Sequence, residues 1–365
     1  MAKTRRSAVA LVLTWIALAF GDRAGAALPP VEITSCGLSV AFARAVLIAD
    51  LDCTGAPSPT LTLEYSTLDL AGFTLTSTVV CREGCTVTSS LPGGSLVGSL
   101  RARDANFDDR ASLTIRGATL SGTANSDGSI SCEDAEIVGS LNASKTISVR
   151  GSNVQGTVRG EGRVTVVDSS VRSVSGTSFL NGGLGKITVR RSQVTSSGIG
   201  GSAVSVSAVD SQIVATVSDA VHVSSAGLSS SISLVRSHVT ASAGAGISLS
   251  GRGNVRLSET VIENSRRGVV STGSPAERRK VSLVRSSVIG NALDGLRVDG
   301  RIQAQLSNVL GNGLDAQCGV TVECADLHAS TLPSIRVIPG SYECGTSHVL
   351  GSGIPGASWG VCLGD

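Results

Sequence analysis

The chain has 365 residues, of which 44 are Gly, 41% are apolar and 2% aromatic, with a formal charge of +2. Few aromatics, abundant Gly and an apolar share made mostly of Val, Leu, Ile and Ala fit many short strands joined by tight turns, and they argue against a helical bundle. The apolar fraction is too high for a disordered chain, and no run after residue 20 approaches the roughly 20 apolar residues of a membrane-spanning helix.

At the N-terminus, Lys3, Arg5 and Arg6 precede the apolar run Ala8 to Phe20, and Ala24-Gly25-Ala26 offers a small-residue cleavage site before Ala27. Residues 1–26 read as a secretory signal peptide, with a retained anchor and a twin-arginine signal at Thr4-Arg5-Arg6 as competing readings. Its removal takes away Lys3, Arg5, Arg6 and Arg23 together with Asp22, which turns the formal charge from +2 to −1. Nothing in the mature chain then asks for nucleic acid or an anionic membrane, and no membrane insertion is expected after cleavage. The expected location is secreted, periplasmic or cell-surface.

All nine cysteines lie in the exported part, as expected where disulfides form. Cys36, Cys53, Cys81 and Cys85 occupy a first segment, residues 27–100, read as an N-terminal cap with the first coils. Cys318, Cys324, Cys344 and Cys362 occupy residues 316–365, read as a disulfide-rich C-terminal cap. Each cluster allows three connectivities; nearest-neighbour pairing gives Cys36–Cys53, Cys81–Cys85, Cys318–Cys324 and Cys344–Cys362, with very short loops at Cys81/Cys85 and Cys318/Cys324. Four thiolates could also hold zinc, but neither cluster shows paired C-x-x-C knuckles.

Between the caps, residues 101–315 repeat. Leu120, Ile137, Val154, Val171, Val194, Ile213, Val239, Val261, Val288 and Val309 anchor units such as LTIRGATL at 113, ISVRGSNV at 147 and ITVRRSQV at 187. Two apolar positions precede each anchor by seven and five residues, in strand alternation, and Ala or Ser stands two before it, where a bend wants a small side chain. A unit of about 17 to 27 residues made of strands and turns cannot bury its own apolar side, so it must stack on its neighbours. The pattern predicts an all-β, single-stranded, right-handed parallel β-helix with disulfide-stapled ends.

The register makes specific claims. Leu113, Ile130, Ile147, Val164 and Ile187 should form one inward column, with Ile115, Cys132, Val149, Val166 and Val189 beside it. Cys132 is thus expected as a free, buried thiol. AVHV at 220, GISL at 246, GVVS at 268 and GLRV at 295 predict a second strand in the longer coils. Asn264, Asn291 and Asn312 follow their anchors by three and could stack as a ladder. Asp168, Arg191, Asp210, Arg236, Glu259 and Arg285 precede successive anchors by three, Glu259 with one residue of slack. Their alternating signs predict a self-neutralising column, and Arg116, Glu133 and Arg150 suggest a shorter one.

LIADLDCTG at 47–55, TLDLAGFTLTS at 67–77 and CREGCTVT at 81–88 resemble the opening of secreted bacterial right-handed parallel β-helix repeat proteins of the pectin-lyase-like superfamily. CGTSHVLGSGIPGASWGVCLGD at 344–365 resembles their C-terminal segment. The resemblance implies this fold over essentially the whole mature chain. For the lyases of the group it also implies a calcium site of clustered carboxylates beside a basic residue that removes a proton next to a uronate. Asp104, Asp108 and Asp109, then Asp127, Glu133 and Asp134, are the acidic candidates, in Gly- and Ser-rich sequence where Asp commonly makes turns. Of the polygalacturonase-like series Asn-Thr-Asp, Asp-Asp, Gly-His-Gly and Arg-Ile-Lys, only Asp108-Asp109 matches, and too early. Arg301-Ile302-Gln303 departs at the lysine.

No other signal carries chemistry. His222, His238, His328 and His348 lack ligand spacing, NGGLG at 181 is not set between a strand and a helix, and Asn142-Ala143-Ser144 is a glycosylation sequon. The expected function is a structural or surface-binding β-helix module without catalysis or cofactor, its partner a polysaccharide or cell-surface component. The alternative is a polysaccharide lyase or glycoside hydrolase, and only there would calcium enter.

Overall fold

A computed structural model of the chain describes residues 29–57, 60–103, 111–172, 180–181, 185–196, 199–201, 205–224, 229–273, 279–318, 325–328, 335–337 and 343–344. The expected signal peptide and the pairings Cys318–Cys324 and Cys344–Cys362 fall outside the described residues. No helix occurs among the described residues, and the chain winds as a parallel β-helix in which strands pair in parallel from coil to coil. Thirty-one strands join one continuous hydrogen-bonded set that wraps the corners, and seven join another.

Alternation along each strand sends every second side chain inward. Ser112–Arg116, Ser129–Glu133, Thr146–Arg150, Arg163–Val167 and Lys186–Arg190 pair in unbroken register, so Leu113, Ile130, Ile147, Val164 and Ile187 stack. Ile115, Cys132, Val149, Val166 and Val189 form the neighbouring column, and all ten are buried. Each buried Val, Ile or Leu among them contributes about 1.5–3 kcal/mol. The anchors stack likewise, with one correction: Val239 faces Ile262, whereas Val261 faces His238 and is only half-buried. Both candidates are β-branched and apolar, so composition could not choose between them. The seven-strand set includes Val221–Ser224, Ala245–Ser250, Arg267–Thr272 and Asp294–Val298, as the longer coils predict, and it begins one coil earlier at Ile199–Gly201.

The corner before the anchors is held by hydroxyls. Its first residue takes a left-handed backbone, with φ of 51° at Asp168, 45° at Arg191, 51° at Asp210 and 46° at Arg236. The next residue is a buried Ser or Thr: Ser152, Ser169, Ser192, Ser211, Ser237, Thr260, Ser286 and Ser307. Each Oγ accepts the backbone N–H of its counterpart one coil earlier, as in Ser152 N–H to Ser169 Oγ (3.2 Å) and Ser286 N–H to Ser307 Oγ (3.1 Å). Each hydroxyl then donates to the carbonyl two residues before it, as Ser192 does to Arg190 O at 2.6 Å. That carbonyl also accepts the N–H of the left-handed residue of the previous coil, as Arg190 O does from Asp168. The small residue expected at this position therefore serves as a hydrogen-bonding bridge, with Ala118 and Ala135 standing in its place in two short coils.

A second corner uses the same device with a longer side chain. Ser265 N–H donates to Asn291 Oδ1 at 3.1 Å, and Asn291 N–H and Nδ2 donate to Asn312 Oδ1 at 3.0 and 2.8 Å. The expected asparagine ladder thus holds for Asn291 and Asn312. Asn264 instead takes the exposed left-handed position at φ 52°, because the anchor of its coil is shifted by one residue and Ser265 fills the ladder. A third corner, near the N-terminus, pairs left-handed Phe42 and Tyr65 with Ala43 and Ser66, and Ala43 N–H donates to Ser66 Oγ at 3.3 Å.

Where the coils are shortest, Gly98, Gly122 and Gly139 stack in register, continued by Gly156. Their φ values run from 133° to 157°, and a Cβ at Gly122 or Gly139 would overlap the carbonyl of the glycine before it. Cys36–Cys53 and Cys81–Cys85 are disulfide-bonded, with Cα separations of 5.7 and 5.6 Å.

Ser211→Ala leaves the buried Ser192 N–H without its acceptor, so it is expected to cost about 1–3 kcal/mol in denaturant unfolding. Ser233→Ala, on the outer wall, is expected to stay within about 0.5 kcal/mol of wild type.

Candidate binding surface

The left-handed corner residues project outward and meet across coils. Arg191 Nε and Nη2 donate to Asp168 Oδ1 and Oδ2 at 2.6 and 2.7 Å, and Arg236 grips Asp210 in the same way at 2.6 and 2.9 Å. Arg285 Nη1 stands 3.9 Å from Glu259 Oε1. On the adjoining strand end, Arg116 Nη2 lies 2.6 Å from Glu133 Oε2. The alternating column is therefore a series of coil-to-coil pairs. Hydrogen bonds from Arg191 and Arg236 hold Asp168 and Asp210 below the usual carboxylate range. Being exposed, these pairs add little stability; they use up charge that would otherwise attract a ligand.

Beside this column the first strand of each coil shows water an unbroken line of hydroxyls. Thr67, Thr86, Thr114, Ser131, Ser148, Thr165, Thr188, Ser207 and Ser233 are successive register partners. All nine are half-buried, as expected of short side chains standing on a sheet. The line continues into Arg256, Ser282 and Gln303. There Asn254, Arg256, Lys280, Ser282 and Gln303 line a shallow cleft of about 350 Å³. Among the described residues, no carboxylate forms an ion pair with Arg256 or Lys280. Arg256 and Lys280 thus place positive charge on the wall, and the same register row runs on from Gln303 to Asp326 and Glu343. The sequence pattern showed the inward positions of these strands, and the same alternation marks the hydroxyls between them as outward.

The other candidates disperse. Asp104, Asp108 and Asp109 lie outside the described residues. Glu133 is taken by Arg116, Asp134 is a left-handed corner residue, and Asp127 lines a separate cleft of about 340 Å³ with Asn125, Asn142, Arg159 and Glu161. Asn142 of the sequon is half-buried in a strand and donates to Asn125 Oδ1 at 3.0 Å, a poor setting for glycosylation. His222 Nδ1 lies 3.3 Å from Asp219, and His238 Nε2 lies 3.0 Å from Glu263 without hydrogen-bond alignment. His328 belongs to the strand Ala325–His328, and His348 is outside the described residues. Among the described residues, no three His, Cys, Asp or Glu side chains group as metal ligands. Arg301 and Gln303 sit on one strand with Ile302 buried between them.

Two further carboxylates are structural. Burial alone would raise Asp69, but hydrogen bonds from Ser90, Arg44 and the Ala71 N–H outweigh it and hold the group below the ordinary range. Burial would likewise raise Asp219, and hydrogen bonds from His222, the Ala245 N–H and Ser248 reverse the direction. Cys132 has no such partners: desolvation pushes its thiol up to about 12.

No family model, no curated protein and no solved structure matches the chain. The resemblance to pectin-lyase-like β-helix repeat proteins therefore rests on the quoted segments, with which a parallel β-helix is compatible.

Carboxylates lowered on folding stabilise the native state above their unfolded pKa of about 4, and that contribution is lost as pH falls below it through the folded values. Thermal stability should accordingly hold from neutral pH to about pH 4.5 and decline below about pH 4. Asp69→Asn and Asp219→Asn should each be less stable at pH 7 and show a shallower acid decline. With its thiolate disfavoured and its sulfur buried, Cys132 should resist iodoacetamide at pH 8 in the native protein and react on unfolding, as read by mass spectrometry.

Proposed function

We propose that the protein is an exported, non-catalytic β-helix of the pectin-lyase-like type that binds an extended polysaccharide or cell-surface component along its outer wall. The observation that carries this reading is the nine-coil hydroxyl line running into the Arg256–Lys280 cleft. A linear array repeating at about 4.8 Å suits a ligand that is itself extended, and Arg256 and Lys280, which pair with no carboxylate among the described residues, supply attraction for anionic groups. The state of the carboxylates supports binding over catalysis. Asp69, Asp168, Asp210 and Asp219 are each engaged by hydrogen bonds within the fold, so these four serve the structure and not a catalytic centre. Export is supported by the basic, apolar and small-residue order of residues 1–26 and by disulfide bonding at Cys36–Cys53 and Cys81–Cys85.

The deciding experiment incubates the protein with acidic and neutral polysaccharides, with and without calcium, and follows co-sedimentation and chain ends. Binding without new ends is expected, and Arg256→Ala with Lys280→Ala should weaken binding to the acidic members at least several-fold. New reducing or unsaturated ends that depend on the protein would overturn the reading in favour of a lyase or hydrolase.

A further inference from the structure

Phe42 and Tyr65 form a stacked pair on adjacent coils, ring centroids 5.3 Å apart and planes 18° from parallel. They are also among the most exposed large apolar residues described, at 68% and 54%. Both stand at left-handed backbone positions, φ 52° and 44°, which disfavour bulky side chains and which glycine fills at Gly290 and Gly311 in an equivalent corner. The corner itself needs only the left-handed turn and the Ser66 hydroxyl behind it, so the fold does not call for aromatic rings here.

The rings face each other from coil to coil, so the pair offers solvent its ring edges and its outer faces, in largely polar surroundings. Glu64 precedes Tyr65 and is the register partner of Arg82, Glu83 follows Arg82 at the next left-handed turn, and Arg44 beside Phe42 is exposed and bonded to Asp69. Two rings so exposed offer on the order of 200–300 Å² of apolar surface. A stable protein partner needs about 800 Å² per side. A sugar ring fits better, since its C–H face is apolar and its rim carries hydroxyls for carboxylate and guanidinium groups.

We infer that the Phe42–Tyr65 stack receives the ring face of a neutral glycan against its exposed outer face, extending the stack by one ring, with Glu64 and Arg82 on the adjoining strand ends to hydrogen-bond its hydroxyl rim. The inference rests on the polysaccharide-binding reading and adds a ligand class and a site remote from the Arg256–Lys280 cleft.

The test titrates the full exported chain with cellohexaose, xylohexaose and chitohexaose, followed by saturation-transfer NMR, ligand-to-ring NOEs and calorimetry. Expected are NOEs from sugar ring protons to the Phe42 and Tyr65 rings for at least one hexasaccharide. Phe42→Gly and Tyr65→Gly should each lower affinity about tenfold or more with the thermal midpoint unchanged or raised, because glycine suits the backbone. Tyr65→Trp should retain binding. No binding of any hexasaccharide, binding without NOEs to these rings, or glycine variants that bind like wild type would overturn the inference. A lower midpoint with affinity intact would make the pair a structural ladder. Should these outcomes occur while acidic polysaccharide still co-sediments, the platform fails and the binding reading stands; should no polysaccharide bind, both fail.

Discussion

A coil that must turn a corner while staying hydrogen-bonded to its neighbours cannot keep the strand ladder through the bend. The N–H just after the left-handed residue points along the solenoid axis with no strand carbonyl to meet it, in a place closed to water. A buried N–H without a partner costs about 1–3 kcal/mol, and the loss would recur at each coil. The hydroxyl from Ser152 to Ser307 is the bridge that removes it, accepting from one coil and donating within its own. Because each link sits on the next, the corner also fixes axial register, and the inward Val, Ile and Leu columns align as a consequence.

The same constraint frees the outside of the molecule. The left-handed residue is thrust into solvent and its side chain has no duty in the turn, so its identity is open to Gly117, Asp168, Arg191, Leu306, Phe42 or Tyr65. Side chains there sit one coil from their counterparts and settle by pairwise chemistry: opposite charges bridge and aromatic rings stack. The β-helix thereby separates its parts: the core and hydroxyl spine carry stability, and the outer columns are free to vary. Paired charges on the wall are evidence of coil-to-coil accommodation. Arg256 and Lys280, which form no ion pair with a carboxylate among the described residues, are where surface chemistry departs from it.

The asparagine column shows how local reading and tertiary context divide. Counting three from Val261 selects Asn264, and nothing in the composition of that coil objects. Only the pairing of Val239 with Ile262 shows that the coil is shifted by one and that Ser265 belongs to the ladder. A one-residue shift exchanges inside for outside, so the error moves a side chain from a buried hydrogen-bonded column to open solvent.

The sequence alone determined the repeating unit, the inward columns apart from the anchor at Val261, the buried Cys132 and the pairing of opposite charges at Asp168–Arg191 and Asp210–Arg236, whereas it left three connectivities open among the N-terminal cysteines. The features it determined follow from periodicity, which a linear string displays. It also showed that small residues recur before the anchors, but not that their hydroxyls bridge coils, since size and hydrogen bonding make the same demand on composition. The hydroxyl line into Arg256 and Lys280, and the Phe42–Tyr65 stack, were decided by the tertiary structure. Residues 23 apart in sequence, such as Phe42 and Tyr65, become neighbours only because one full turn of the solenoid returns the chain to the same corner one strand spacing away.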